Sequence, residues 1–178
     1  MPSVRGRLPD CSRRFVRDRA DPLVAWRYWD VGDADGRLHL RSPFRTVVWP
    51  IGEPLRAECF GLKLAASGRA HDAPGDACRC GVYGGTYREL RTCLRTRLVR
   101  PSEAPVLGRV SLWGVVIADG NGWRAAEAYP ERLVVPTLTR NAFAVAEALV
   151  TYGVPVELVD VRETYSALNP STRLRAVR

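Results

Sequence analysis

The strongest constraint on the fold is the run GRVSLWGVVIADGNGWRAAEAYPERLVVP at 108–136, in which two apolar stretches flank a glycine-rich turn. The turn at 119–122 consists of Asp, Gly and Asn, which tolerate positive φ angles. The run therefore predicts a β-hairpin whose return strand starts at 123, is broken by Pro130 and resumes at 132–135. In the first strand, four alternating residues share one face: Val110, Leu112, Gly114 and Val116.

Four shorter runs predict the remaining strands. The aromatic and branched run 23–31, a turn rich in Gly and Asp, and the alternating run 36–44 together predict a second hairpin. The segment 54–62 is expected to be an extended strand that carries Cys59. The run 155–161 predicts a last short strand.

Two segments have helical patterns. Thr86 is followed three residues later by Glu89, which is a capping box, and leucines recur every fourth residue until Pro101 stops the pattern. This predicts an amphipathic helix at about 86–99. A second apolar stripe predicts a helix at about 140–152, with Asn141 or Thr139 as its N-cap.

The order of these elements is rich in strands and does not follow a βαβ pattern. It predicts the α+β class, with a bent antiparallel sheet or a small β-barrel-like sheet and two main helices, about 86–99 and 140–152. The length of 178 residues suits one domain, which we expect at 22–162. A basic N-terminal arm at 1–21, mobile or with a short helix at 12–19, and a basic C-terminal tail at 163–178 would flank it.

The formal charge of +8 suggests an acidic partner, either a protein or a nucleic acid. Every basic residue except Lys63 and the two histidines is arginine, a bias that a GC-rich genome also explains. The sequence has neither the ~20 apolar residues of a membrane span nor the apolar core of a signal peptide. We therefore expect a cytoplasmic protein without a membrane partner, in which the five cysteines stay reduced.

The candidates for binding nucleic acid or another anion lie on the second hairpin, on the first helix and beside the glycine-rich turn. The alternative is that these basic faces are simply solvated and that the tryptophans pack in the core. The candidate residues are Arg37, His39, Arg41, Arg88, Arg91, Arg95, Trp123 and Arg124.

A group of soft ligands is the clearest sign of chemistry. Cys59, His71, Cys78 and Cys80 are spaced C-x11-H-x6-C-x-C, and three thiolates with one imidazole suit tetrahedral Zn²⁺. Four protein ligands leave no open position, so the zinc would be structural. One alternative is a set of buried or free thiols without metal. Another is a thiol-dependent enzyme in which Cys80 acts with His71, oriented by a nearby aspartate.

Several short motifs also carry a resemblance. LRAEC at 55–59, H-x-A-P at 71–74, C-x-C-G-V-Y at 78–83, VSLWGVV at 110–116 and G-W-R-A-x-x-A-Y-P at 122–130 occur in this order. In these motifs the chain resembles an uncharacterised family of bacterial proteins, mostly from high-GC genomes, with no known activity. The resemblance implies one shared domain over about 23–160 and no particular reaction.

Together these patterns predict a zinc-stabilised binding or adaptor module for an acidic protein or nucleic acid. The first alternative is the thiol-dependent enzyme, and the second is a metal-free structural or interaction domain. No catalytic residue is assigned, and the oligomeric state is left open.

Overall fold

The computed structural model of the chain describes residues 16–45, 47–59, 71–76, 78–95 and 105–160. Within them, seven strands and two α-helices form a mixed sheet with helices packed on it, which confirms the α+β class. The N-terminal arm before 16 and the C-terminal tail after 160 lie outside these residues. The division of the chain into arm, domain and tail stays a prediction.

The centre of the sheet is the predicted hairpin. Strand β5 (Val106–Asp119) and strand β6 (Gly122–Pro136) pair along almost their whole length, from Asp119 opposite Gly122 onward (β1 to β7 number the strands in chain order). The predicted break at Pro130 is wrong. Pro130 lies opposite Val110 where the register shifts, and an irregularity of this kind tolerates a residue that lacks an N–H donor.

Strand β1 (Val16–Ala34) pairs with β5 along one edge and continues into a hairpin with β2 (Arg37–Arg41), as predicted. The expected helix at 12–19 is wrong for its described part, because β1 begins at Val16. Residues from Val16 onward pair with β5 and thereby extend the sheet into the segment we had assigned to the arm.

Three short strands complete the sheet. β3 (Leu55–Arg56) and β4 (Val82–Gly85) pair with β6 in antiparallel orientation. β7 (Val156–Val159) pairs with β6 in parallel orientation, so the sheet is mixed where we expected an antiparallel one. Of the extended segment expected at 54–62, the described part, 54–59, contributes the two residues of β3 to the sheet, and Cys59 lies beyond the end of that strand.

Both helices lie where they were predicted, with shorter described extents. Helix α1 (Tyr87–Arg95) begins as the capping box requires, because the Glu89 N–H donates to Thr86 Oγ1 at 3.2 Å. Helix α2 (Ala142–Leu149) continues as a 3₁₀ turn to Tyr152. The expected side-chain cap of α2 is not formed, since Asn141 adopts a left-handed conformation and its side chain makes no capping hydrogen bond.

The sheet has a core on each face. The larger core includes Trp29, Trp49, Val110, Leu112 and Leu133, and α2 packs against it over β2, β6 and β7. The smaller core lies under α1, around Tyr28, Leu90, Leu107, Val134 and Val159. Among the described residues, no helix has the length and apolar character needed to cross a membrane.

Candidate metal centre

The pairing of β3 and β4 with β6 brings the four predicted ligands together. β5 occupies one edge of β6, and both short strands lie along the other edge. β3 ends with Arg56 opposite Glu127, and β4 starts with Val82 opposite Ala125. The end of one strand therefore meets the start of the next. Cys59, three residues after β3, and Cys80, two residues before β4, lie beside the same point of β6.

The four side chains converge with spacings that suit one metal ion. One ligand atom from each of Cys59, His71, Cys78 and Cys80 lies within 4.8 Å of all the others. The Sγ atoms of Cys59 and Cys78 are 3.7 Å apart, while two sulfurs on one tetrahedral Zn²⁺ are about 3.8 Å apart, given Zn–S bonds of about 2.3 Å. His71 Nε2 lies 3.1 Å from Cys59 Sγ and 3.9 Å from Cys80 Sγ. The cluster can hold a metal ion.

The His71 ring has the tautomer that a metal ligand needs. Its Nδ1 atom lies 2.9 Å from the carbonyl oxygen of Asp72, and because a carbonyl only accepts, Nδ1 carries the proton. In the neutral ring Nε2 then offers a lone pair toward the sulfurs. Asp72 thus orients the imidazole through its backbone carbonyl, where the enzyme alternative had expected a carboxylate.

Arg124 holds the loop that carries Cys78 and Cys80, called the metal loop below, against the sheet. Its side chain is 1% exposed, and its Nη1 atom donates to the carbonyl oxygens of Cys78 and Cys80, each at 2.7 Å. Its Nε atom pairs with Asp119 Oδ2 at 2.9 Å. The expectation that Arg124 meets an external anion is therefore wrong, since the guanidinium is buried and engaged within the chain.

Two glycines allow the loop to fold this tightly. A side chain at Gly75 would place its Cβ 2.4 Å from the His71 ring, and the Gly75 N–H donates to Cys80 Sγ at 3.1 Å. Gly81 has φ +123°, a conformation that residues with side chains rarely adopt, and its α-carbon faces Arg124. A glycine directly after Cys80 therefore lets the backbone turn between the metal ligands and β4.

The environment shifts the two C-x-C thiols in opposite directions. A hydrogen bond from the Cys80 backbone N–H lowers the pKa of Cys78 to about 6, and a weaker contribution comes from the hydrogen bond with the His71 side chain. Desolvation by burial raises the pKa of Cys80. The pKa of His71 is raised, chiefly by its hydrogen bond to the Asp72 backbone. A raised pKa makes Cys80 the poorer nucleophile of the two thiols at neutral pH.

The remaining candidates for anion binding are distributed over different parts of the fold. Arg37, Arg88 and Arg91 are exposed, and Arg95 lies in the last turn of α1. Arg88 and the half-buried Trp123 line one open groove of about 730 Å³ between α1 and the β5–β6 turn. Both of these residues were predicted from the sequence.

Two of the three candidates on β2 already have partners within the chain. His39 Nδ1 lies 3.4 Å from the carbonyl oxygen of Trp49. Arg41 Nη2 donates to the carbonyl oxygen of Asp33 at 2.9 Å. Their side chains are half-buried, so β2 offers a weaker basic surface than its alternating sequence indicated.

Sequence reasoning missed a second arginine whose guanidinium is engaged within the chain, although this residue is only half-buried. Arg27 donates to the carbonyl oxygen of Tyr83 and to Ser42 Oγ, and its guanidinium carbon lies 5.1 Å from the centre of the Trp49 ring. Burial lowers the pKa of Arg27 to about 10. Trp26, Arg27 and Tyr28 follow one another in β1, and the neighbouring aromatic residues are the one local signal of an arginine held at the core.

No family model, no curated protein and no solved structure matches the chain. The resemblance carried by C-x-C-G-V-Y and G-W-R-A-x-x-A-Y-P therefore stays a prediction.

Proposed function

We propose that Cys59, His71, Cys78 and Cys80 hold one structural Zn²⁺ in a binding or adaptor module. The convergence of the four ligand atoms within 4.8 Å carries this proposal. Three sulfurs and one imidazole nitrogen favour zinc over the hard cations Ca²⁺ and Mg²⁺, which prefer oxygen ligands. The sulfur separation of 3.7 Å also agrees with tetrahedral coordination.

The zinc is structural because its four positions are filled by the protein. A catalytic zinc keeps one position for water or substrate, and this ligand set leaves none. The ion would join the end of β3, which pairs with β6 over two residues, to the start of β4, which pairs with both β6 and β1. A cytoplasmic location would keep the three thiols reduced and available for the metal.

The module would bind an acidic partner through the outer side of α1. Arg88 and Arg91 are exposed on this helix, which follows the metal loop and β4 directly. The formal charge of +8 supports an anionic protein or nucleic acid as the partner. The zinc would thus fix the position of the basic helix relative to the sheet.

Metal analysis tests the site. We expect the purified chain to contain one zinc ion and the Cys78→Ser variant to contain none. The matched variant Cys93→Ser should keep the ion, because Cys93 lies on α1, packs against the smaller core and is not part of the cluster. Cobalt substituted into the site should give the charge-transfer absorption of a sulfur-rich tetrahedral complex. A chain that takes up no zinc after reduction and reconstitution contradicts the proposal. Equal loss in both variants also contradicts it.

Binding to a single-stranded oligonucleotide and to an acidic peptide tests the partner. Affinity for the true partner should fall steeply with salt, and should fall further in Arg88→Ala/Arg91→Ala than in Arg140→Ala, which removes an exposed arginine beside α2. If neither probe binds, or if binding does not depend on salt, the basic helix is not a binding surface.

A further inference from the structure

We propose that Cys59 and Cys78 are a redox-active pair, which a hydroperoxide oxidises to a disulfide with release of the metal ion. This inference rests on the proposed function, because only a bound ion can be released. It assigns a regulatory modification to the site in addition to its structural role.

The two sulfurs are placed to react with each other. They lie 3.7 Å apart and belong to residues 19 positions apart in the chain. A disulfide needs a separation of about 2.05 Å, so the sulfurs must approach by roughly 1.7 Å. Both residues lie in loops outside the hydrogen-bonded strands, where side-chain rotation with a small backbone adjustment can supply this movement.

Cys80 is less suited to be a partner in this bond. Its Sγ atom accepts the Gly75 N–H at 3.1 Å, which holds the sulfur against the loop backbone. Cys59 and Cys78 have a sulfur–sulfur contact within hydrogen-bond range. The geometry therefore favours a bond between these two residues and leaves Cys80 as a thiol.

A small oxidant can reach the pair. Cys59 and Cys78 are half-buried, and His71, which lies beside Cys59 Sγ, is exposed. The cluster thus lies at the surface of the sheet edge and not in either core. Zinc thiolates in such a position are accessible to hydrogen peroxide, whereas a thiol in a closed core is not.

The chemistry balances as a two-electron oxidation. One thiolate sulfur attacks a peroxide oxygen, the O–O bond breaks, and the departing hydroxide takes a proton to become water, which leaves a sulfenic acid. The second thiolate attacks that sulfur, the S–S bond forms, the S–O bond breaks, and the second hydroxide also becomes water. Two thiolates and two protons are consumed for each hydroperoxide. The metal then keeps only Cys80 and His71, which are too few ligands to retain it.

The sequence allows a direct assay of which cysteines are joined. Cleavage after arginine and lysine places Cys59 in the peptide 57–63, Cys78 in 70–79 and Cys80 in 80–88. We would use the zinc-loaded full chain with Cys11→Ser and Cys93→Ser, so that only the cluster thiols remain. Hydrogen peroxide is added, zinc release is followed with a chromophoric chelator, and the alkylated products are mapped without reduction.

We expect one zinc ion to be released for each link between 57–63 and 70–79, with recovery after a dithiol reductant and fresh zinc. Cys59→His supplies a nitrogen ligand that cannot form the disulfide, and peroxide should release its zinc about tenfold more slowly. Zinc retained by the oxidised chain overturns the inference, and so does release accompanied by a 70–79 to 80–88 link or by a sulfinic acid alone. A chain that contains no zinc before peroxide is added refutes the proposed function itself.

Discussion

Replacement of the buried Arg124 by methionine is the sharpest test of how the metal loop is built. The guanidinium donates at 2.7 Å to the carbonyl oxygens of both Cys78 and Cys80, and pairs with Asp119 at 2.9 Å. Methionine has a similar length and fills the same space, but it offers no donor. The variant therefore removes the hydrogen bonds and keeps most of the packing.

The magnitude follows from the two carbonyl oxygens. A buried acceptor that loses its partner costs about 1–3 kcal/mol, and the loop is half-buried, so water can replace part of the loss. Asp119 is 39% exposed and its unpaired carboxylate adds at most about 1 kcal/mol. We expect the metal-free protein to lose about 3 kcal/mol of unfolding free energy. Zinc affinity should fall by about 10–100-fold, as for other residues that position metal ligands.

Urea unfolding of the metal-free chain and competition with a zinc chelator measure the two effects separately. Arg88→Met is the matched control, because it makes the same substitution at an exposed arginine of α1 and should change stability by less than about 0.5 kcal/mol. Arg124→Lys keeps the positive charge without the fork that reaches two carbonyls and a carboxylate, and we expect it to behave like Arg124→Met. If Arg124→Met matches the control in both assays, Arg124 does not position the metal loop.

Three further predictions address other contacts. In the metal-free protein, alkylation of Cys78 should accelerate as the pH rises through about 6, because hydrogen bonds lower the pKa of this thiol from its ordinary value of 9.0. If the rate of alkylation rises only near pH 9, these hydrogen bonds do not stabilise the thiolate. Gly81→Ala should cost about 1–3 kcal/mol in urea unfolding, because its φ of +123° strains a side chain; wild-type stability would show that the turn relaxes freely. Tyr152→Phe should cost about 2 kcal/mol, because the buried Leu40 N–H and Trp49 carbonyl both lose the hydroxyl; an unchanged urea midpoint would refute this.

Much of the fold could be predicted because the local patterns and the tertiary structure agree. Alternation in β5 and the glycine-rich turn at 119–122 fixed the central hairpin, and the capping box at Thr86 fixed the start of α1. The parallel pairing of β7 was not predictable, because the sequence of a four-residue strand does not indicate which strand it pairs with. The prediction of a break at Pro130 was wrong because the local sequence does not distinguish a proline at a register shift from a proline that ends a strand.

The ligand set was predictable from residue type and spacing, whereas its geometry was not. The extended run at 54–62 predicted Cys59 on a strand. The strand ends at Arg56, which frees Cys59 to turn toward His71 and the C-x-C pair. The end of a two-residue strand depends on its pairing with β6 and not on its own composition.

The role of Arg124 could not be predicted because nothing in its local sequence separates it from an outward arginine. In a chain whose basic residues are almost all arginine, residue type alone carries little information. Arg124 differs from an outward arginine because it donates hydrogen bonds to two carbonyl oxygens of a loop more than 40 residues earlier in the chain. A buried cation of this kind becomes visible only when the tertiary structure is known.

The position of the cluster has a physical reason in the sheet itself. Within the described residues, β3 is held to β6 by two paired residues and one further hydrogen bond, from the Ala57 N–H to the Ala126 carbonyl at 2.8 Å. So short a strand gains little from its own ladder, and an additional tether at its end has a large effect on whether it stays in place. The loop before β4 is already fastened by Arg124, so it offers a fixed point for that tether. A metal ion that joins Cys59 to His71, Cys78 and Cys80 would therefore anchor the segment after β3, and with it the residues of β3 and β4 that pack against the larger core.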